Sequence, residues 1–313
     1  MAIDTTAARV RSLELSAAGF LRVALASVGA LWLIILTGAA VRLTDSGLGC
    51  RHWPGCEPGH PLPEKSYHAF IEFGNRVIGG VTIAIVLVTW LAALRTPSLP
   101  RWARRLAVAI FAGALAQAPL GYLAVKTDLR WPVVAAHLLL SALLLAGAVV
   151  LALEAYRVAR GGSEPLVPRE LRRAGLVVAG AALALLVTGT LATAAGPHSG
   201  GGATHVHRLW RLQPLIYVHA AAVAVFAVGL VFVLGYLAAR RERSPRLFAF
   251  GLVVLGALLV QMIIGEIQYR THLPWPLVLA HVGFAAAVWA LVVAFVAVLW
   301  RPPAIAQSHA GRT

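Results

Sequence analysis

Glu72, Asn75 and Arg76 bring a carboxylate, an amide and a guanidinium together in "EFGNRVIGG", inside a run apolar enough to lie in lipid. A carboxylate can accept protons from a reacting group, and a guanidinium beside it can keep it ionised or bind an anion. Ionisable groups at membrane depth are expensive to keep and mark a functional site by default. Glu72 and Arg76 are four residues apart and share a helix face, so the plainer alternative is a buried ion pair that fixes register. Three histidines have similar surroundings: His137 in "WPVVAAH", His219 in "PLIYVHAAAVAVF" and His281 in "WPLVLAH". A neutral imidazole there is either a metal ligand or a hydrogen-bonded core residue.

These residues need elements to hold them. The chain has 313 residues, 59% hydrophobic and 12% charged, with a mean hydropathy of +0.80. Soluble domains carry about a quarter charged residues. Eight apolar blocks run 20–43, 68–94, 104–126, 132–157, 173–196, 213–239, 246–268 and 275–300. Each is long enough to cross a hydrocarbon layer of about 30 Å at about 1.5 Å per helical residue. None alternates as the strand of an outer-membrane barrel would. The first block continues into the next loop without a cleavage-type end, so it reads as a retained span.

The net charge of +15 follows the same pattern. Of the 27 Lys and Arg, 18 fall in the N-terminal segment, the even loops and the tail, 8 fall on the other side, and Arg76 lies within a span. The positive-inside rule puts both termini in the cytoplasm and the loop between spans one and two outside. The basic excess therefore reports topology, and nucleic acid is not an expected partner. Cys50 and Cys56, the only cysteines, lie in that outer loop in "GLGCRHWPGCEPGHPLP". Disulfides persist on that side and Pro54 and Gly55 suit a small ring; free thiols, or a metal pair with His52 and His60, are the alternatives.

The chain also repeats itself. "QAPLGYLAVKTDLRWPVVAAH" from Gln117 overlies "QMIIGEIQYRTHLPWPLVLAH" from Gln261 without a gap, with 9 of 21 positions identical at an offset of 144. Spans three and four thus echo spans seven and eight. The expected fold is an all-α polytopic membrane protein whose eight transmembrane helices form two pseudo-symmetric four-helix bundles. Its parts are a cytoplasmic segment 1–19, an N-terminal half 20–157, a linker 158–172, a C-terminal half 173–300 and a tail 301–313. In each echo Trp-Pro opens a span, and the histidine lies about 7–8 Å further along the helix. At the same offset Asn75 corresponds to His219, and Glu72 to Ile216. The C-terminal half then offers histidines of similar depth on spans six and eight. Two imidazoles facing across a bundle can bind haem iron from both sides. His219 and His281 are the expected ligands there, with His137 in the other half. The loop histidines 52, 60, 198, 205, 207 and 272 and His309 of the tail read as solvated, and His68 is ambiguous.

With these residues in view, the sequence resembles the haem A synthase family along nearly its whole length. The resemblance rests on "TGAAVRLTDSGLGCRHWPGC" ending span one, "IEFGNR" in span two, "VTGTLATAAGPHSGG" ending span five and the histidines opening spans four, six and eight. It implies oxidation of a haem O methyl group to a formyl group by successive hydroxylations, with water as oxygen source, to give haem A for terminal oxidase assembly. It implies haem B between His219 and His281, substrate haem in the N-terminal half, Glu72 as the acidic residue there, and Cys50 and Cys56 as the outer cysteine pair. Asn75 and Arg76 would contact the substrate haem or its propionates. The implied setting is the plasma membrane, with lipid, haem O, an electron acceptor of unknown identity and the haem O-producing enzyme as candidate partners. One departure stands out: where the family has Glu-x-x-His on span two, this chain has Glu72-x-x-Asn75. The main alternative is a b-type membrane cytochrome that only transfers electrons; a transporter fits the parallel repeat poorly. A prenyl-transferring enzyme would need acidic metal-diphosphate motifs, and the chain holds 12 Asp and Glu in all.

Overall fold

The computed structural model describes residues 14–50, 52–57, 59, 62–63, 66–201 and 209–304. His60, His205, His207 and His309 lie outside the described residues. Among the described residues eight helices follow one another: α1 Ala17–Leu43, α2 Tyr67–Leu94, α3 Arg101–Lys126, α4 Trp131–Arg160, α5 Arg169–Ala195, α6 Leu212–Ala239, α7 Pro245–Arg270 and α8 Trp275–Trp300. All eight are long and apolar enough to cross a membrane. The protein is an all-helical, multi-pass membrane protein.

The helices begin up to four residues before the apolar blocks. Arg101 and Arg169 start α3 and α5 directly after Pro100 and Pro168, which hold extended backbone at the N-cap. The polar first turn after such a proline is helical but invisible to a count of apolar residues. At the other end α4 runs on to Arg160, three residues past its apolar block, and so shortens the linker.

The neighbour relations form two rings. In the first, α1 packs on α2, α2 on α3, α3 on α4, and α4 returns to α1. In the second, α5 packs on α6, α6 on α7, α7 on α8, and α8 returns to α5. Within each ring the second and fourth helices, α2 with α4 and α6 with α8, therefore stand diagonally across from each other. The rings join along α1, α4, α5 and α8. Two indoles tie this seam: Trp32 donates to the Gly283 carbonyl at 2.9 Å, and buried Trp289 donates to the Ala142 carbonyl at 2.8 Å. Small residues such as Ala142, Ala148, Ala152, Ala155 and Ala286 lie buried in a core shared by both rings.

The repeat of the sequence is matched by repeated turns. Asp128 and Leu129 between α3 and α4 both hold positive φ, and so do His272 and Leu273 between α7 and α8, 144 positions later. Leu129 donates its N–H to the Ala124 carbonyl at 2.8 Å, and Leu273 donates to Gln268 at 2.7 Å. As expected, Trp131-Pro132 and Trp275-Pro276 open α4 and α8.

Candidate functional site

The histidines cluster toward one end of the bundle, the end that carries the cysteine loop. His137 is the seventh residue of α4, His281 the seventh of α8, and His219 the eighth of α6. Since α6 and α8 are diagonal, His219 and His281 are offered from opposite sides of the second ring.

Local contacts prepare these rings as ligands. The Thr188 hydroxyl lies 3.2 Å from His219 Nδ1 and 3.0 Å from the Leu185 carbonyl, an acceptor for its one proton. With that proton on the carbonyl, Thr188 accepts from Nδ1–H, the tautomer of neutral His219 that leaves the Nε2 lone pair free. The Nδ1 atoms of His281 and His137 are buried without any partner. Gly189 and Gly265 allow close approach: a Cβ at Gly189 would lie 2.9 Å from His219 Cε1, and one at Gly265 would lie 3.1 Å from His281 Cε1. Two imidazoles from diagonal helices, one with a hydroxyl at its Nδ1, suit ligation of a haem iron, so these residues fit that group.

The first ring has the same layout with different chemistry. Thr37 takes the place of Thr188, and its hydroxyl donates to the Asn75 side-chain oxygen at 2.8 Å. Asn75 thus shares with His219 a side-chain contact to the threonine of a Thr-Gly pair, but an amide is a poor iron ligand beside imidazole. His68 is exposed and its Nδ1 lies 3.0 Å from Ser46 Oγ. Its ring serves the loop.

Glu72 is buried, 5% exposed, and both its oxygens are engaged. Oε1 accepts from Arg76 Nη2 at 2.5 Å, and Oε2 accepts the Cys50 N–H at 2.8 Å. Arg76 Nη1 donates to the carbonyls of His52, Pro54 and Gly55 at 2.6, 3.2 and 2.6 Å. The pair expected to act on substrate is thus also the clamp that holds the 50–56 loop onto α2. Cys50 and Cys56 are joined by a disulfide and are buried against Ala69, with Phe73 packed beside them. The backbone of His52 is tied into the ring, its N–H donating to the Cys56 carbonyl at 3.2 Å and its carbonyl accepting from Arg76.

Several residues here carry signals that composition and spacing did not translate into roles. Gln117 and Gln261, identical in the repeat, donate through Nε2 to the backbone carbonyls of His137 and His281 at 3.1 and 3.0 Å. Thr37 and Thr188 each begin a Thr-Gly pair near the end of α1 and α5. Arg42 crosses between the rings, donating to the carbonyls of His198 and Thr193 at 2.9 and 2.7 Å. His198 in turn bonds the Leu273 carbonyl at 2.8 Å, so it is a structural strut. Glu154 is a second buried carboxylate, 3% exposed, on α4. An acid inside a span was the available sign.

Fold and site together define a polytopic helical membrane protein built as two four-helix rings, with histidines set across the second ring. The chain belongs to the cytochrome oxidase assembly protein family (COX15-CtaA), which it matches over residues 21–67 and 59–293. It is 28% identical over 318 aligned residues to a Shewanella oneidensis protein named heme A synthase, covering 86% of this chain and 93% of that one. A Symbiobacterium thermophilum protein of the same name is 38% identical over 106 residues, 33% of this chain and 34% of the other. A Thermus thermophilus protein named protoheme IX farnesyltransferase is 34% identical over 294 residues, 84% of this chain but only 46% of that longer one.

Proposed function

We propose that this protein is a haem A synthase, which oxidises a methyl group of haem O to a formyl group. The observation that carries the reading is the match along 86% of the chain to a protein of that name. The geometry agrees with it. Among the described residues no three His, Cys, Asp or Glu gather as ligands for a bare metal ion. Two facing imidazoles suit an iron whose other positions a porphyrin fills. Under this reading the termini are cytoplasmic, the disulfide loop is outside, and the two rings descend from one duplicated quartet.

His219 and His281 would hold haem B, which when bound would supply a one-electron relay. The N-terminal ring takes haem O, with His137 on one side and Asn75 on the other. Conversion of a methyl to a formyl with water as oxygen source releases four protons and four electrons: –CH3 + H2O → –CHO + 4 H+ + 4 e–. The four electrons pass to an acceptor outside the chain. Glu72 accepts protons at this site, since a carboxylate using two of its lone pairs on Arg76 and Cys50 retains others. Arg76, paired with Oε1, favours the ionised carboxylate against its burial. Asn75 fills the ligand position without binding iron strongly, which leaves the substrate more loosely coordinated than a cofactor held by two imidazoles.

The test is to express the protein with a haem O supply and to identify extracted pigments by mass. Haem A is expected with the native chain. Glu72→Ala is expected to bind haem and accumulate haem O or a hydroxylated intermediate. A membrane b-type cytochrome would give no haem A in either case.

A further inference from the structure

We propose that Gln261 is a positioning residue for His281, its side-chain carbonyl accepting the Nδ1–H of the imidazole when Nε2 binds iron, and that Gln117 stands in the same relation to His137. The inference rests on the haem-binding reading of these histidines and adds an acceptor to it.

Four buried atoms carry the argument. His281 Nδ1 and Gln261 Oε1 are both buried and both without a partner, and so are His137 Nδ1 and Gln117 Oε1. Unpaired buried polar groups are rare in a folded chain and costly to leave so. Here the two unmatched atoms of each half come from the same pair of neighbouring helices, α7 with α8 and α3 with α4. They are also complementary. An imidazole that coordinates through Nε2 must carry its proton on Nδ1, which turns that atom into a donor in need of an acceptor. An amide oxygen is an acceptor only.

The orientation of each amide follows from its other contacts. Gln261 Nε2 donates to the His281 carbonyl at 3.0 Å, and the nitrogen must face a carbonyl. Gln117 Nε2 donates to the His137 carbonyl at 3.1 Å and to Ser141 Oγ at 2.7 Å. Ser141 itself donates to the His137 carbonyl at 3.0 Å, so its lone pairs face the amide nitrogen. Both side-chain oxygens are thereby turned away from those carbonyls. The imidazole faces the right helix as well. His281 Cε1 and Nδ1 are the atoms nearest the position a Gly265 Cβ would take, at 3.1 and 3.6 Å. Gln261 lies one turn from Gly265 on the same face of α7. The Nδ1 edge thus looks toward the helix that carries the amide, and Nε2 is the nitrogen farther from it.

A hydrogen bond from a ligating imidazole to an acceptor raises the basicity of the ligand and fixes its tautomer, and it stabilises ferric over ferrous iron. The Thr188 hydroxyl lies where it can serve His219 in this way, 3.2 Å from Nδ1. Gln261 completes the second axial ligand with an acceptor of its own.

The experiment uses the full-length chain purified with its haem and reads the midpoint potential and the electron paramagnetic resonance of the C-terminal pigment. Gln261→Leu is expected to keep the haem and the low-spin spectrum while favouring the ferrous state about tenfold, close to 59 mV for a one-electron couple. Gln261→Glu, which supplies a charged acceptor, is expected to shift the potential in the opposite direction and is measured in parallel should the leucine variant accumulate poorly. Haem retained with an unmoved potential in Gln261→Glu overturns the inference. His281→Ala separates the two levels of the argument: loss of the low-spin pigment is expected, whereas an unchanged pigment there would refute the ligand assignment itself and the inference with it.

Discussion

Arg301 and Glu154 lie 147 positions apart and meet through two hydrogen bonds of 2.8 Å, Nε to one carboxylate oxygen and Nη2 to the other. Arg301 follows the end of α8 and Glu154 lies in α4, so the pair fastens the two rings at the end away from the disulfide. Beside it, Ser163 donates its N–H to the Pro302 carbonyl at 3.0 Å and Ala304 donates to Gly161 at 2.9 Å. The chain after α8 is therefore laced onto the α4–α5 linker. At the disulfide end Arg42, Asp45 and Gly47 make the corresponding tie: Asp45 accepts the Gly200 N–H at 3.2 Å, and Gly47 donates to the Gly200 carbonyl at 2.8 Å.

Arg301→Ala should lower stability, because it leaves a carboxylate only 2% exposed with a single weaker partner, Arg157 at 3.4 Å. Hydrogen bonds to a charged group contribute about 1.5–3 kcal/mol, and the partial exposure of Arg301 places the loss toward the low end. Arg270→Ala removes an exposed pair with Glu266 and should change stability by less than about 0.5 kcal/mol. Thermal unfolding of both variants in the same detergent checks the contrast. Equal shifts would contradict it.

Thr188→Val removes the acceptor that sets the His219 tautomer while keeping shape and volume. Losing such a partner costs roughly 10–100-fold in metal affinity. Haem retained per protein during dilution should fall by that order, and Thr188→Ser should retain most of it. Retention equal to that of the native chain in Thr188→Val would refute the tautomer argument.

The two glycines that admit the imidazoles make a steric prediction. Gly265→Ala and Gly189→Ala put a methyl against a ring in a tight place, so each should displace its histidine and reduce the low-spin pigment. Gly74→Ala, in the middle of "EFGNR", meets nothing within 4 Å and should leave the pigment unchanged. Absorption spectra of the three variants at equal protein decide the matter, and a normal spectrum in Gly265→Ala would speak against a histidine seated on α7.

Much of this arrangement was legible before any coordinates. Eight spans follow from lipid thickness and helix rise alone, and the correspondence of Asn75 with His219 follows from a constant offset. What escaped the sequence is of one kind: contacts whose partners come from a different helix. Nothing in "VTGTL" says that Thr188 will face His219, because that depends on how α5 and α6 cross. Glu72 gave the opposite lesson. Its depth in the span pointed to chemistry, yet its nearest partners are a loop N–H and an arginine that grips three loop carbonyls. Burial marks such a carboxylate as constrained without revealing how many tasks share it.

With Glu72 in its proposed role, that double engagement makes the disulfide loop part of the reaction site. Cys50 presents its N–H to Glu72, and Arg76 holds Glu72 with one nitrogen and the carbonyls of the ring with the other. Opening the Cys50–Cys56 bond frees the loop to move, and misplacement of a catalytic group by about 1 Å can cost 10²-fold in rate. A Cys50→Ser, Cys56→Ser double variant should therefore make haem A at least about tenfold more slowly while its C-terminal pigment keeps the native spectrum. The native chain treated with reductant should follow it. Extracted pigment ratios measured beside the absorption spectrum check both halves of the statement. A native rate in the double variant would mean that Glu72 keeps its place without the ring. Loss of the C-terminal pigment would instead show that the loop supports the whole bundle rather than the carboxylate.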